Sequence, residues 1–247
     1  MRHDPPPSPV YVGCAGWSLP REQWPAFAEP GSHLQRYASR FSGVEINSSF
    51  YRPHRFQTYV RWADSVPDGF RFSVKAPKSI THEGRLQGCD QALDEFMAQC
   101  SGLGEKLGCL LVQLPPSLAF DPQVAQAFFQ ALRARFSGSV VVEPRHPSWL
   151  NAEDLLVEQR VGRVAADPSP ITSHMTPGGW QGVRYWRLHG APRIYHSAYE
   201  HSRLQTLAAD LLDSHRSNRT VWCIFDNTAS GFAVGNALEL QGLLAGV

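Results

Sequence analysis

Glu45, Lys75, Gln113, Glu143, Asp167, Arg187 and Asp226 share one placement: each falls at or near the end of a short apolar run, and Arg145 and His189 follow two residues beyond Glu143 and Arg187. Four carboxylates beside two arginines and a lysine make a set whose charges nearly cancel. Crowded carboxylates next to cations have their pKa values pushed apart, which prepares a site for acid/base work. The cations can also hold an anionic or polar ligand. The residue types therefore assign Glu143, Asp167, His189 and Glu45 to candidate acid/base roles. Lys75, Arg145, Arg187, Asn47, Tyr51, Gln113, His146, Trp17, Asp226 and Asn227 are assigned to candidate substrate binding, Trp17 and Tyr51 as rings that could stack on a sugar or base. A raised pKa is expected at Glu143 or Asp167 if one of them works as an acid or base. The alternative is an internal ion-pair network that only fixes geometry, which is costly unless its pairing is complete.

The elements that must position these residues are eight runs: YVGCAGW, GVEIN, FRFSVKAP, CLLVQLP, VVVEPRH, RVAADP, RYWRLHG and VWCIFDNT. Side chains on a strand alternate between faces. Phe70, Phe72 and Val74 oppose Arg71, Ser73 and Lys75; Val44 and Ile46 oppose Glu45 and Asn47; Val164 and Ala166 oppose Arg163, Ala165 and Asp167. Strands alternating with helical segments predict an α/β fold, and eight of them predict a single (β/α)8 TIM-type barrel over residues 10–247. In such a barrel the apolar face packs on helices, the polar face points inward, and chemistry sits at the carboxyl ends of the strands. Residues 1–9, MRHDPPPSP, are expected to be a disordered tail.

Between the runs, Ser32 is placed to cap a helix over SHLQRYASRF, and Asp121-Pro122 reads as a cap followed by proline at the first helical position. HRFQTYVRWADS, DQALDEFMAQCSGLGEKLG, NAEDLLVEQRVG, YEHSRLQTLAADLLDSHR and NALELQGLL supply further helices. Lys and Arg total 23 against 22 for Asp and Glu, too even for a large nucleic-acid footprint. No apolar stretch approaches the ~20 residues that span a bilayer. Five cysteines without metal or redox spacing, and no hydrophobic export signal, point to a cytoplasmic protein with reduced thiols. There is no phosphate loop, dinucleotide fingerprint or nucleophile elbow. No metal ligand is assigned and no cofactor is expected, since no HExxH-like pair is present and three cations would repel a metal. Glu143, Asp167, His189 and Asp226 nonetheless offer a ligand set for the divalent-metal alternative.

The stretches VGCAGWS, FSGVEINSSFYRP, WADSVPDGFRFSVKAPKSITH, LGEKLGCLLVQLPPS, VVVEPRHPSW, YWRLHG and FDNTASGFAVGNA, in that order, resemble the YecE-like family, domain of unknown function family 72. The resemblance implies a TIM-barrel fold and delivers no reaction. The expectation from the residues is an enzyme using metal-independent acid/base chemistry, hydrolysis or a related cleavage, on a small anionic or sugar-like substrate. Two rivals stand beside it. One is a metal-dependent phosphodiesterase or endonuclease acting on nucleic acid, drawing on Arg52, His54, Arg55 and Lys78. The other is a module that binds an anion or a partner without turning it over.

Overall fold

Each of the eight apolar runs forms strand in the computed structural model of the chain, which describes residues 10–171, 176–217 and 219–246. The expected tail at residues 1–9 lies outside the described residues. The strands are β1 (Val10–Cys14), β2 (Gly43–Ile46), β3 (Arg71–Lys75), β4 (Leu107–Gln113) and β5 (Ser139–Glu143). The sixth run breaks at Val164 into β6 (Val161–Arg163) and β7 (Ala165–Asp167); a two-residue β8 (Gly178–Gly179) precedes β9 (Val183–Leu188) and β10 (Thr220–Phe225). Helices intervene as the sequence predicts: α1 (His33–Ala38), α2 (Phe56–Asp64), α3 (Asp90–Cys100), α4 (Pro122–Arg135), α5 (Glu153–Glu158), α6 (His201–Arg216) and α7 (Phe232–Ala245). Ser32 and Gln35 close a capping box on α1, and Asp121 accepts from the Gln123 and Val124 amides at the start of α4.

The ladders form two sheets, β1-β10-β9-β7 and β2-β3-β4-β5-β6-β8, and every pairing is parallel except that of β8 with β6. The protein is thus a mixed α/β fold with parallel sheets, where the sequence predicts one continuous eight-stranded barrel. Each interruption has a local cause. Between β1 and β2 a side chain takes the place of ladder bonds: the buried Tyr37 hydroxyl of α1 accepts from the Cys14 amide at 2.8 Å and donates to the Gly43 carbonyl at 3.0 Å. The backbones approach so closely there that a Cβ on Gly13 would lie 2.0 Å from the Gly43 oxygen. Direct contact resumes beyond the hydroxyl, where the Gly16 amide reaches the Glu45 carbonyl at 2.9 Å. At the other interruption β8 occupies an edge of β6, pairing Gly179 with Gly162, and on its side away from β10 strand β9 pairs with β7.

Two cores follow from strand alternation. The larger lies between the sheets and the helices and takes Val12, Val44, Phe72, Val112, Val142, Leu188 and Phe225. The smaller gathers the opposite faces: Tyr11, Cys109, Leu111, Val141, Val164, Val183, Tyr185, Trp222 and Ile224. The five cysteines are free and buried. Among the described residues no helix is long and apolar enough to cross a membrane.

Tyr37→Phe keeps the ring but leaves the Cys14 amide and the Gly43 carbonyl without their partner. It is expected to cost about 1–3 kcal/mol in urea unfolding. A variant as stable as the parent would mean that the hydroxyl does not hold the two strand edges.

Candidate functional site

Strand alternation carries a charged layer above the smaller core. Arg187, in β9 two residues beyond Tyr185, is fully buried and reaches three carboxylates. Its Nε and Nη2 donate to Glu45 Oε2 and Oε1 at 2.9 and 2.7 Å, a bidentate pair. Nη1 lies 3.1 Å from Glu143 Oε2, and Nη2 lies 3.1 Å from Asp226 Oδ2. The Tyr185 hydroxyl completes the shell of Glu45, 2.9 Å from Oε2 and 3.0 Å from Ser73 Oγ. This inner half is closed.

The outer half centres on Glu143 Oε1, which accepts from Arg145 Nε at 2.8 Å and from Gln113 Nε2 at 3.2 Å, with Arg145 Nη2 at 2.6 Å. His189 sits between carboxylates: Nδ1 is 3.1 Å from Asp226 Oδ2 and Nε2 is 3.0 Å from Glu143 Oε1. Nε2 is also 3.0 Å from Arg145 Nη2. Either protonation state of that nitrogen therefore has a partner, donating to Glu143 or accepting from Arg145. The rim is half-open. The Tyr195 ring lies 5.8 Å from that of His189, and Arg145 is half-buried.

Burial opposes ionisation of Glu143, but Arg145, His189 and Arg187 outweigh it and hold the carboxyl well below the usual range. Asp226 is treated alike: burial raises its pKa, while Arg187, His189 and Lys75 bring it down below the ordinary value. Of the two carboxyls at which a raised pKa is expected, Glu143 therefore shifts the opposite way. Lys75, at the end of β3, differs from every other member of the set. It is 5% exposed, and its Nζ makes no hydrogen bond or ion pair among the described residues and lies 4.2 Å above the Phe50 ring. Burial and then Arg187 pull its pKa down to about 8 against the opposing pull of Glu45, Glu143 and Asp226.

Other candidates sit elsewhere. The sixth run turns its faces the other way. Val164 enters the small core, and Asp167, level with Leu188, points outward to Arg203 of α6 at 2.7 and 3.0 Å. His146 caps the turn Pro147–Ala152 through Nδ1, which accepts from the Ser148 amide at 3.2 Å. Trp17 packs edge-on against Trp62 at 5.0 Å, and Tyr51 is largely exposed beside Phe50. Asn47 and Asn227 each bury an amide oxygen that has no partner among the described residues. A cleft of about 380 Å³ opens at the ends of β1 and β10, lined by Ala15, Gly16, Thr228 and Gly231.

Sequence reasoning missed Tyr185 and Ser73, although both share the inward parity of Arg187 and Lys75. A π-helical turn, Ser79–Glu83, sets the His82 ring edge-on to Phe50 at 4.9 Å. Among the described residues no three His, Cys, Asp or Glu side chains group so as to hold a metal ion. The donor atoms of Glu143, Asp226 and His189 face one another and the guanidinium groups.

A family profile described as protein of unknown function DUF72 matches residues 11–246, and the chain belongs to that family. It is 32% identical over 172 residues to the UPF0759 protein YecE of Escherichia coli strain K12, covering 66% of this chain and 60% of that one. It is 28% identical over 113 residues to the UPF0759 protein YunF of Bacillus subtilis strain 168, covering 43% and 40%. The matched stretch thus spans less than two thirds of either relative. A DUF72 family crystal structure from Enterococcus faecalis V583 superimposes with TM-score 0.80 at 22% identity, over 96% of this chain and 95% of that one. Another, from Thermotoga maritima MSB8, gives 0.76 at 26% identity, over 96% and 99%.

The depressed carboxyls set the sign of the pH response. Their folded-state pKa values lie below the unfolded ones, so their stabilisation is present above the ordinary carboxylate range and is lost as pH falls through the folded values. Stability against urea is expected to decline below about pH 5, and Glu143→Gln should flatten that decline while lowering stability at pH 7. An unchanged acid limb in Glu143→Gln would contradict the ionised state of this carboxyl.

Proposed function

We propose that this DUF72 protein is an enzyme that runs acid/base chemistry without a metal, a hydrolysis or related cleavage, on a small anionic or sugar-like substrate. The observation that carries the reading is the position of His189. Asp226 fixes one ring nitrogen, and the other has a partner waiting in both of its protonation states. A proton can therefore arrive or leave with little rearrangement, as a general acid/base requires. Asp226 orients the ring, and Glu143, kept ionised, balances the charge that a protonated ring would carry. Arg145 and Lys75 are the cations nearest the rim and the ones a substrate anion can approach. Glu45, whose oxygens are taken by Arg187 and Tyr185, positions Arg187. Asn47 and Asn227 offer unfilled acceptors to hydroxyl or amino groups of the substrate.

The same reading includes closure of the two sheets into a (β/α)8 barrel. It is supported by the Gly16–Glu45 bond between β1 and β2, and by the run Val161–Asp167, whose halves belong to different sheets. Five free, buried thiols fit a cytoplasmic setting.

A thermal-shift screen of phosphorylated and carboxylated metabolites and sugars identifies the ligand, and turnover of that ligand tests the roles. His189→Gln is expected to bind it and to lose roughly 10²–10⁴-fold in kcat. Arg145→Met is expected to weaken binding by about 2 kcal/mol, and most for anionic ligands. Turnover unchanged in both variants would refute the assignment. A ligand that binds tightly and is never converted would make the chain a binding module instead.

A further inference from the structure

The chain contains 20 arginines and only 3 lysines, and two of the lysines have evident partners. Lys78 pairs with Glu83 at 3.0 Å, and Lys106 donates to the Ala63 and Val66 carbonyls at 2.8 and 2.7 Å. The Nζ of Lys75 has neither an ion pair nor a hydrogen bond among the described residues, although three carboxylates share its layer. The cations that hold those carboxylates are arginines, whose planar forks suit the task. What remains for Lys75 is an amine lying against an aromatic face at the carboxyl end of a strand. Its backbone is held firmly, since Ser49 Oγ bonds the Lys75 carbonyl at 2.7 Å.

We propose that Lys75 is a nucleophilic amine that forms an imine with the carbonyl carbon of a small aldehyde or 2-oxo acid substrate. The inference rests on the enzymatic reading above and narrows its substrate class. The neutral Nζ lone pair bonds to the carbonyl carbon, and the C=O π pair moves to oxygen, which takes up a proton while nitrogen releases one. The carbinolamine hydroxyl then leaves with a proton as water, so one amine and one carbonyl give one imine and one water. Arg145 at the rim is placed to hold the carboxylate of a 2-oxo acid. The groups acting on the amine are Arg187 from β9, Glu45 from β2, Glu143 from β5, Asp226 after β10 and the neighbouring His82. With a pKa of about 8, the amine is on the order of a hundredfold richer in its neutral form at pH 8 than an ordinary lysine.

The test traps the imine. The protein is incubated separately with glyoxylate, pyruvate and glyceraldehyde in the presence of sodium borohydride, and the adducts are mapped by peptide mass spectrometry. At least one probe is expected to be fixed on Lys75 about tenfold faster than on exposed Lys78, with a rate that rises through a midpoint near pH 8. Lys75→Arg should lose the adduct at that position while keeping the charge. Labelling that follows exposure, with Lys78 modified and Lys75 untouched by all three probes, would overturn the proposal. So would a midpoint near that of an ordinary lysine. Mapping of the unaltered protein decides the matter even if the variant does not fold. If trapping fails while the His189 variants still lose turnover, the imine falls and the acid/base reading stands.

Discussion

A guanidinium sealed inside the protein must be neutralised or it will not be buried at all. Arg187 meets that demand with three carboxylates contributed by Glu45 on β2, Glu143 on β5 and Asp226 after β10. Those elements belong to both sheets and are far apart in sequence, so the pairing fixes how the sheets meet. Lysine could not substitute, because three acceptors in different directions require a planar fork with several fixed donors. The remaining features of the site follow from which lone pairs Arg187 leaves free. Glu45 is used up and becomes structural. Glu143 gives Oε2 to Arg187 and Oε1 to His189, Asp226 Oδ2 serves both, and through them the network opens toward the rim.

The layers beneath explain why this opening faces one way. Tyr11, Trp222, Leu111 and Val141 fill the space below the charged layer, so access is confined to the strand carboxyl ends. The same parity that sends Tyr185 into contact with Glu45 sends Arg187 and His189 up the strand after it. Lys75 stands in this layer without a carboxylate at ion-pair distance, although Glu45, Glu143 and Asp226 pull on its charge. Its amine is consequently governed by desolvation and by Arg187, not by a partner, and it differs chemically from the arginines around it.

Much of this was legible in the sequence. Alternation within the runs located Glu45 and Lys75, the ends of the runs located Glu143, Arg187 and Asp226, and the helices followed from caps and periodicity. Asp167 was misplaced because RVAADP carries small or apolar residues on both parities, so its inward face could not be read from polarity; register with β9 decides it, and register is not written in one strand. His146 reads like a ligand beside Arg145, but its ring is taken by the turn that follows. The division into two sheets depends on a tyrosine from α1 standing in for a ladder and on two glycines forming β8, neither of which a strand pattern announces. The direction of the Glu143 pKa depends on which charges touch it, whereas counting charges gives only their sum.

The claim on which the rest depends is that Arg187 and Glu45 are held by each other, and a double-mutant cycle on stability measures it directly. Glu45→Gln, Arg187→Met and the pair together are compared by urea unfolding at pH 7. The account predicts a coupling of about 2–3 kcal/mol, with the double variant more stable than Arg187→Met alone because one stranded buried charge has been removed. Effects that add to within about 0.5 kcal/mol would contradict it.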